Sequence, residues 1–164
     1  MFKQMKVTGL VMDPQSNTPI LVLKDVKDET TLPIWIGLLE ATAIATELEN
    51  IQFPRPMTHD LIRSFFDHLN VTVERIEVCD LKNNTYYALI HIRNGETVTC
   101  IDSRPSDAIA IALRTNAPIF VNDEVISKYL KSDEAKSSFD SKNREQWADM
   151  LEKLDPAEFS KYKM

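Results

Sequence analysis

Residues 36–45, IGLLEATAIA, and residues 101–110, IDSRPSDAIA, decide how this chain folds. Each begins on an apolar residue closing a strand-like run and passes within a few positions into an alanine-rich helical run. In the first, Leu38, Ala41, Ala45 and Leu48 share one helical face, and Ala43 and Ile44 widen its apolar surface. At an offset of 65 residues, Ile36 falls on Ile101 and Ala43-Ile44-Ala45 on Ala108-Ile109-Ala110. Two further strands precede each segment, so the pattern reads as an internal duplication of a β-β-β-α unit. The expected fold class is α+β: a mixed, mostly antiparallel sheet packed by the two alanine-rich helices.

Working outward, Lys6 to Met12 and Ile20 to Lys24 are β-rich and flank the turn formers Asp13 to Asn17. Thr30 to Ile36 is a third strand, and Pro33 within it suits an edge position or a bulge, because proline cannot donate to the ladder. After a loop stiffened by Pro54 and Pro56, Thr58 is placed to cap a second helix. Leu61, Ile62, Phe65, Phe66 and Leu69 form its apolar stripe. Val71 and Val73 then alternate in one phase and Ile76 and Val78 in the other, which implies a β-bulge at Glu74-Arg75. Asn83-Asn84 makes a turn, Tyr86, Ala88, Ile90 and Ile92 alternate strictly, and Asn94-Gly95 signals a hairpin. The strand Thr97 to Ile101, a helix from Pro105 to Arg114 and a short strand at Ile119 to Val121 follow, and Asn122 can cap a helix through Leu130.

These readings give a domain over 1–130, a polar, serine-rich flexible linker over 131–142 and a helical C-terminal tail over 143–164. In the tail, Trp147, Met150, Leu151 and Leu154 make an apolar stripe, and Asp155-Pro156-Ala157-Glu158 can cap a last turn. The tail helix is expected to dock on a core or a neighbouring subunit, because an apolar stripe left uncovered usually marks an interface, and for that reason a homo-oligomer is expected. A chain of 164 residues needs no disulfides to fold. Cys79 and Cys100 sit in strand-like runs without a CxxC pairing and read as buried free thiols of a reducing compartment. With no signal core at the N-terminus and no run long enough to span a bilayer, no membrane partner and a cytoplasmic setting are expected. The net charge of −6 argues against a general nucleic-acid-binding face and leaves any such chemistry to a local patch, aided by a bridging cation.

The P-loop, nucleophile-elbow, zincin and dinucleotide-binding motifs are all absent, and the chain has three glycines. Two segments are instead dense in reactive side chains: FPRPMTHD over 53–60 and IDSRPSDA over 101–108. Each sets an arginine, acids and hydroxyls at the start of an expected helix, where backbone N–H groups favour bound anions. Together with PIWIG over 33–37 and Glu40-Ala41, these segments resemble the bifunctional nuclease domain family of bacteria and plants. The resemblance extends over roughly residues 5–130. It implies a nuclease acting on DNA and RNA as substrates.

Residue chemistry assigns roles within that expectation. Phosphodiester hydrolysis needs an activated water, charge neutralisation on the phosphate and a proton for the leaving oxygen. Glu40, Asp102 and Asp107 are the candidate ligands of a divalent cation, Mg²⁺ or Mn²⁺. Arg55 and Arg104 can grip phosphate, with Ser103 and Ser106 beside them. His59 is the candidate general acid or base, since histidine titrates near neutrality. Plainer readings stand beside these. Thr58, Ser103 and Ser106 can act as helix caps, Asp60 and Asp107 can complement helix dipoles, and Arg104 can pair with Asp107 to lock its loop. His68 and His91 are assigned to structure or surface. The competing function is a non-enzymatic domain that binds a small phosphorylated or carboxylated ligand in the same anion-friendly pocket.

Overall fold

The structure, a computed structural model, describes residues 1–27 and 30–132. In chain order these form β1 (Phe2–Met12), β2 (Pro19–Asp25), β3 (Thr31–Trp35), α1 (Leu38–Leu48), α2 (Thr58–His68), β4 (Val71–Lys82) and β5 (Thr85–Asn94). There follow β6 (Thr97–Ser103), α3 (Pro105–Thr115), β7 (Ile119–Asn122) and α4 (Asp123–Lys131). The strands make one mixed sheet in the order β3-β2-β1-β7-β4-β5-β6. Its neighbours are antiparallel except β4 and β7, which run parallel. The fold is therefore α+β, built from two three-stranded meanders with the short β7 wedged between them.

Local sequence sets much of this frame. Asn83 and Asn84 both take left-handed φ, 48° and 58°, which gives the tight turn between β4 and β5. The next hairpin turns on Gly95-Glu96, one residue later than the sequence suggests, with Gly95 at φ 60°. The bulge expected near Glu74 is present as a register shift between Val73 and Arg75, and a second follows at Cys79. Pro33 lies on β3, an outer strand, where its missing N–H is harmless. Asn122 caps α4 by accepting from the Glu124 N–H at 3.0 Å.

The β-β-β-α order occurs twice, ending in α1 and in α3. The two helices start at Leu38 and Pro105, a separation of 67 residues, because β6 continues through Ser103. At that spacing the buried pairs Ala41/Ala108, Ile44/Ile111 and Ala45/Ala112 correspond. Glu40 and Asp107 then correspond too, each the third residue of its helix. Alanines on both helices let α1 lie close against α3, over a core containing Leu21, Leu23, Leu32, Ile76, Val78 and Val121.

Several expectations need correction. Leu38 is 55% exposed, because the first turn of α1 projects beyond the sheet's cover. On α2 only Ile62 and Phe66 reach the core, while Leu61, Phe65 and Leu69 face outward. The N-cap of α2 is Met57, so Thr58 is already the first helical residue and caps nothing; the N-cap of α3 is Arg104 rather than a serine. Cys79 and Cys100 are free, but Cys79 is half-buried and Cys100 exposed, since outer strand β6 is open to solvent along most of its length. Helix α4 runs to Lys131, where the linker was expected to start. The rest of that linker and the Trp147 tail lie outside the described residues. Among the described residues, no helix is long and apolar enough to cross a membrane.

Candidate active site

The first turns of α1, α2 and α3 converge on a cleft of about 350 Å³. Leu39 and Glu40 come from α1, Thr58 and His59 from α2, and Arg104 and Asp107 from the start of α3. Phe53, Met57 and Ala43 add apolar wall. All three helices thus present their N-terminal ends, with their partial positive charge, to one space. Each also carries a carboxylate at its third position: Glu40, Asp60 and Asp107.

A chain of charged contacts spans the cleft. Arg104 Nη1 donates to Glu40 Oε1 at 2.7 Å and Arg104 Nε to Asp107 Oδ2 at 2.8 Å. The other Asp107 oxygen, Oδ1, lies 2.9 Å from His59 Nε2. One carboxylate therefore holds both the imidazole and the guanidinium. The His59 side chain is 13% exposed and that of Arg104 64%, so the ring is enclosed while the guanidinium reaches solvent. Burial works to raise the Asp107 carboxyl, but hydrogen bonds from Arg104 and His59 outweigh it and hold it below the ordinary range. The same Asp107 and Glu40 contacts push the Arg104 guanidinium still higher, so it stays charged.

Glu40 reaches Arg104 by folding back over Gly37. A Cβ on Gly37 would come within 2.1 Å of Glu40 Oε2, so glycine there leaves room for the carboxylate. A second hollow of about 250 Å³ adjoins the cleft, and Glu40 and Arg104 line both. It also contains Gly37, Tyr86 and the buried Ser106.

Four of the sequence-derived residues, Glu40, His59, Arg104 and Asp107, thus meet at the cleft. The others do not line it. Asp102 pairs with Leu89 across β5 and β6, which puts it on the sheet face opposite Ala88 and Ile90, both core residues. It is too misplaced to join Glu40 and Asp107 as a ligand, and among the described residues no three His, Cys, Asp or Glu side chains gather as a metal site. Arg55, held between Pro54 and Pro56, faces a separate hollow shared with Asp60 and Asp67 on another side of α2. Ser103 Oγ lies 3.5 Å from the Ala88 carbonyl, and Ser106 sits in the adjoining hollow.

One wall residue was missed. Arg114, with its side chain 3% exposed, lines the cleft and donates from Nε to Asp60 Oδ1 at 2.7 Å and from Nη1 to the Ala110 carbonyl at 3.0 Å. Asp60 also accepts from the Met57 N–H at 3.0 Å, so one carboxylate caps α2 and ties it to α3. Burial acts to raise the Asp60 carboxyl, and the Arg114 and Met57 bonds overcome it and lower it. The signal was present in the sequence: Asp107 and Arg114 are seven residues apart on an alanine-rich helix and so share a face.

Comparison with known proteins agrees with the motifs. Residues 21–134 match the model of the bifunctional nuclease domain. An uncharacterized protein of Mycobacterium tuberculosis is 34% identical over 163 residues, covering 95% of this chain and 97% of that protein. Bifunctional nuclease 1 of Arabidopsis thaliana is 31% identical over 109 residues, 63% of this chain and 33% of its own length. Bifunctional nuclease 1 of Oryza sativa subsp. indica is 29% identical over 106 residues, 63% of this chain and 32% of its own. This chain therefore spans about a third of the plant proteins it matches.

Proposed function

The chain belongs to the bifunctional nuclease domain family, and from that membership and the cleft we propose that it hydrolyses phosphodiester bonds of DNA and RNA. The observation that carries the reading is the Asp107 carboxylate shared between His59 and Arg104 at the junction of three helix N-termini. Asp107 fixes the imidazole by Nε2, which leaves Nδ1 to accept a proton from water or return one to the leaving oxygen. Arg104 uses two of its five N–H groups on Glu40 and Asp107, so three remain for phosphate oxygens. Should a divalent cation take part, Glu40 and Asp107 are the cleft carboxylates that would hold it, and it would supply charge neutralisation. The net charge of −6 makes such local neutralisation necessary, since the surface at large repels a polyanion.

A second reading draws on the same charge balance. The cleft is small and its walls are largely apolar, which suits a small phosphorylated or carboxylated ligand bound without chemistry. Cleavage of single-stranded DNA and RNA by the purified protein, with and without chelator, separates the two. Turnover that disappears in the His59→Ala variant supports the nuclease. Turnover that survives in His59→Ala and Asp107→Asn belongs to a contaminant and hands the cleft to the binding reading. We further place the protein in the cytoplasm as a homo-oligomer, on the basis of its free cysteines and the outward apolar row of α2.

A further inference from the structure

On the opposite face of the sheet from the core residues Ala88 and Ile90, β4, β5 and β6 bring together a thiol, an imidazole and a carboxylate. Cys100 on β6 pairs with His91 on β5, and His91 with Arg75 on β4. Cys100 Sγ lies 3.2 Å from His91 Nδ1, and His91 Nε2 lies at ion-pair distance, 3.0 Å, from Glu77 Oε2 without being aligned for a hydrogen bond. Arg75 Nε in turn donates to Glu77 Oε1 at 2.7 Å. His91 is 7% exposed and Cys100 is open to solvent. This is the order nucleophile, base, orienting carboxylate, with the nucleophile accessible and the base enclosed.

We propose that Cys100 is an activated thiol, its proton taken by His91 under the direction of Glu77, and that it is a site of oxidation by hydroperoxides. The sulfur attacks one oxygen of the peroxide, and the S–O bond forms as the O–O bond breaks. Sulfur loses two electrons, and the departing hydroxide or alkoxide takes the proton from His91 and leaves as water or an alcohol. The product is Cys100 sulfenic acid. An open sheet surface suits a small oxidant better than a substrate that needs an enclosing pocket. On β4, β5 and β6 the charged side chains near this cluster include Arg93, paired with Glu74, and Asp102, while Asp80, beside the second bulge, is held by Lys82 and Lys128. Farther along the same face β1 and β2 carry Lys6 and Lys24. No internal disulfide can follow, because β5 separates Cys79 from Cys100 and two strand spacings of about 9–10 Å exceed the reach of a disulfide.

Cys79 is a built-in control. It is half-buried, burial pushes its thiol up, and its Sγ faces the Tyr87 carbonyl at 3.5 Å rather than an imidazole. The test treats the full-length protein with hydrogen peroxide, traps sulfenic acid with dimedone and reads each cysteine by mass spectrometry. Native Cys100 should label at least about tenfold faster than Cys79 and keep more of its rate at pH 6 than the guanidinium-unfolded chain does, where the two should label alike. Glu77→Gln, which preserves shape, and His91→Asn should each slow Cys100 by about tenfold. Equal labelling of the two cysteines in the native protein would overturn the proposal. So would a fast Cys100 whose rate and pH profile are unchanged in Glu77→Gln, since exposure alone would then explain it.

Discussion

Asp107 spends its two oxygens on two different partners, and single substitutions there separate holding from chemistry. Asp107→Asn keeps the shape but releases the His59 ring and half of the Arg104 grip. Because Arg104 is largely exposed, that pair contributes about 1 kcal/mol or less to stability. Asp107→Asn should therefore stay folded while single-turnover cleavage falls by orders of magnitude, and His59→Ala should cost about 10²- to 10⁴-fold. Asp102→Asn, outside the cleft, should stay within about twofold of wild type by the same assay. Gly37→Ala is subtler. Its φ of −74° suits any residue, so backbone strain is absent, but the new methyl evicts the Glu40 carboxylate from its place beside Arg104. Thermal unfolding should change little, while substrate affinity and rate drop together. Acid sensitivity follows from the same carboxylate. Asp107 is held below its ordinary value of 3.8, so its stabilisation is present above that pH and fades as pH falls through the lower folded value. Asp107→Asn should flatten the stability loss seen in urea titrations as pH falls from about 4 downward.

Among the elements, α3 organises the site: its N-terminal turn carries Arg104 and Asp107, and its last turn fastens α2 through Arg114 and Asp60. Removing the more exposed partner, which strands the buried charge, costs more than removing the buried charge itself. Asp60→Ala strands the Arg114 guanidinium and deletes the carboxylate bonded to the Met57 N–H, so it should destabilise by about 2–3 kcal/mol, discounted from the fully buried case because Asp60 is 36% exposed. Arg114→Met should cost less, and urea midpoints of the two variants decide the order. The sequence announced α1 and α3 plainly, because alanine runs with apolar residues at helical spacing have few other outcomes. It over-credited α2: the row Leu61, Phe65, Leu69 reads as a core stripe, yet only its neighbours Ile62 and Phe66 pack, partly buried, against the core. Periodicity tells which residues share a face and leaves open whether anything covers that face. Asp102 misled for a related reason. Its neighbours in sequence, Ser103 and Arg104, turn toward α3, but alternation along β6 sends its own side chain to the far side of the sheet.

At the scale of the whole molecule, the duplicated β-β-β-α order was legible, but the place of β7 was not. Its contacts with β1 and β4 join residues more than forty positions apart, and no local pattern encodes them. That insertion lets the two meanders share one sheet and sets α1 beside α3, so that Glu40 and Asp107 face each other across Arg104. The same packing leaves α2 riding on α3 with its outer row uncovered by the other described residues: Leu61 is 47% exposed, Phe65 58% and Leu69 62%. These residues follow one another at four-residue spacing and form a single ridge. A ridge of three large apolar side chains left to water is the kind of surface that association covers. A second copy of the chain is the expected cover, and light scattering at micromolar concentration should report a mass above that of one 18.8 kDa chain. Phe65→Glu puts a charge at the middle of the ridge, where burial against a partner would leave it unpaired, while the monomer tolerates it because the side chain is already exposed. The variant should remain folded by circular dichroism and scatter as a monomer. Wild type that is already monomeric at that concentration, or a Phe65→Glu variant whose mass is unchanged, would rule out this face as the contact between copies.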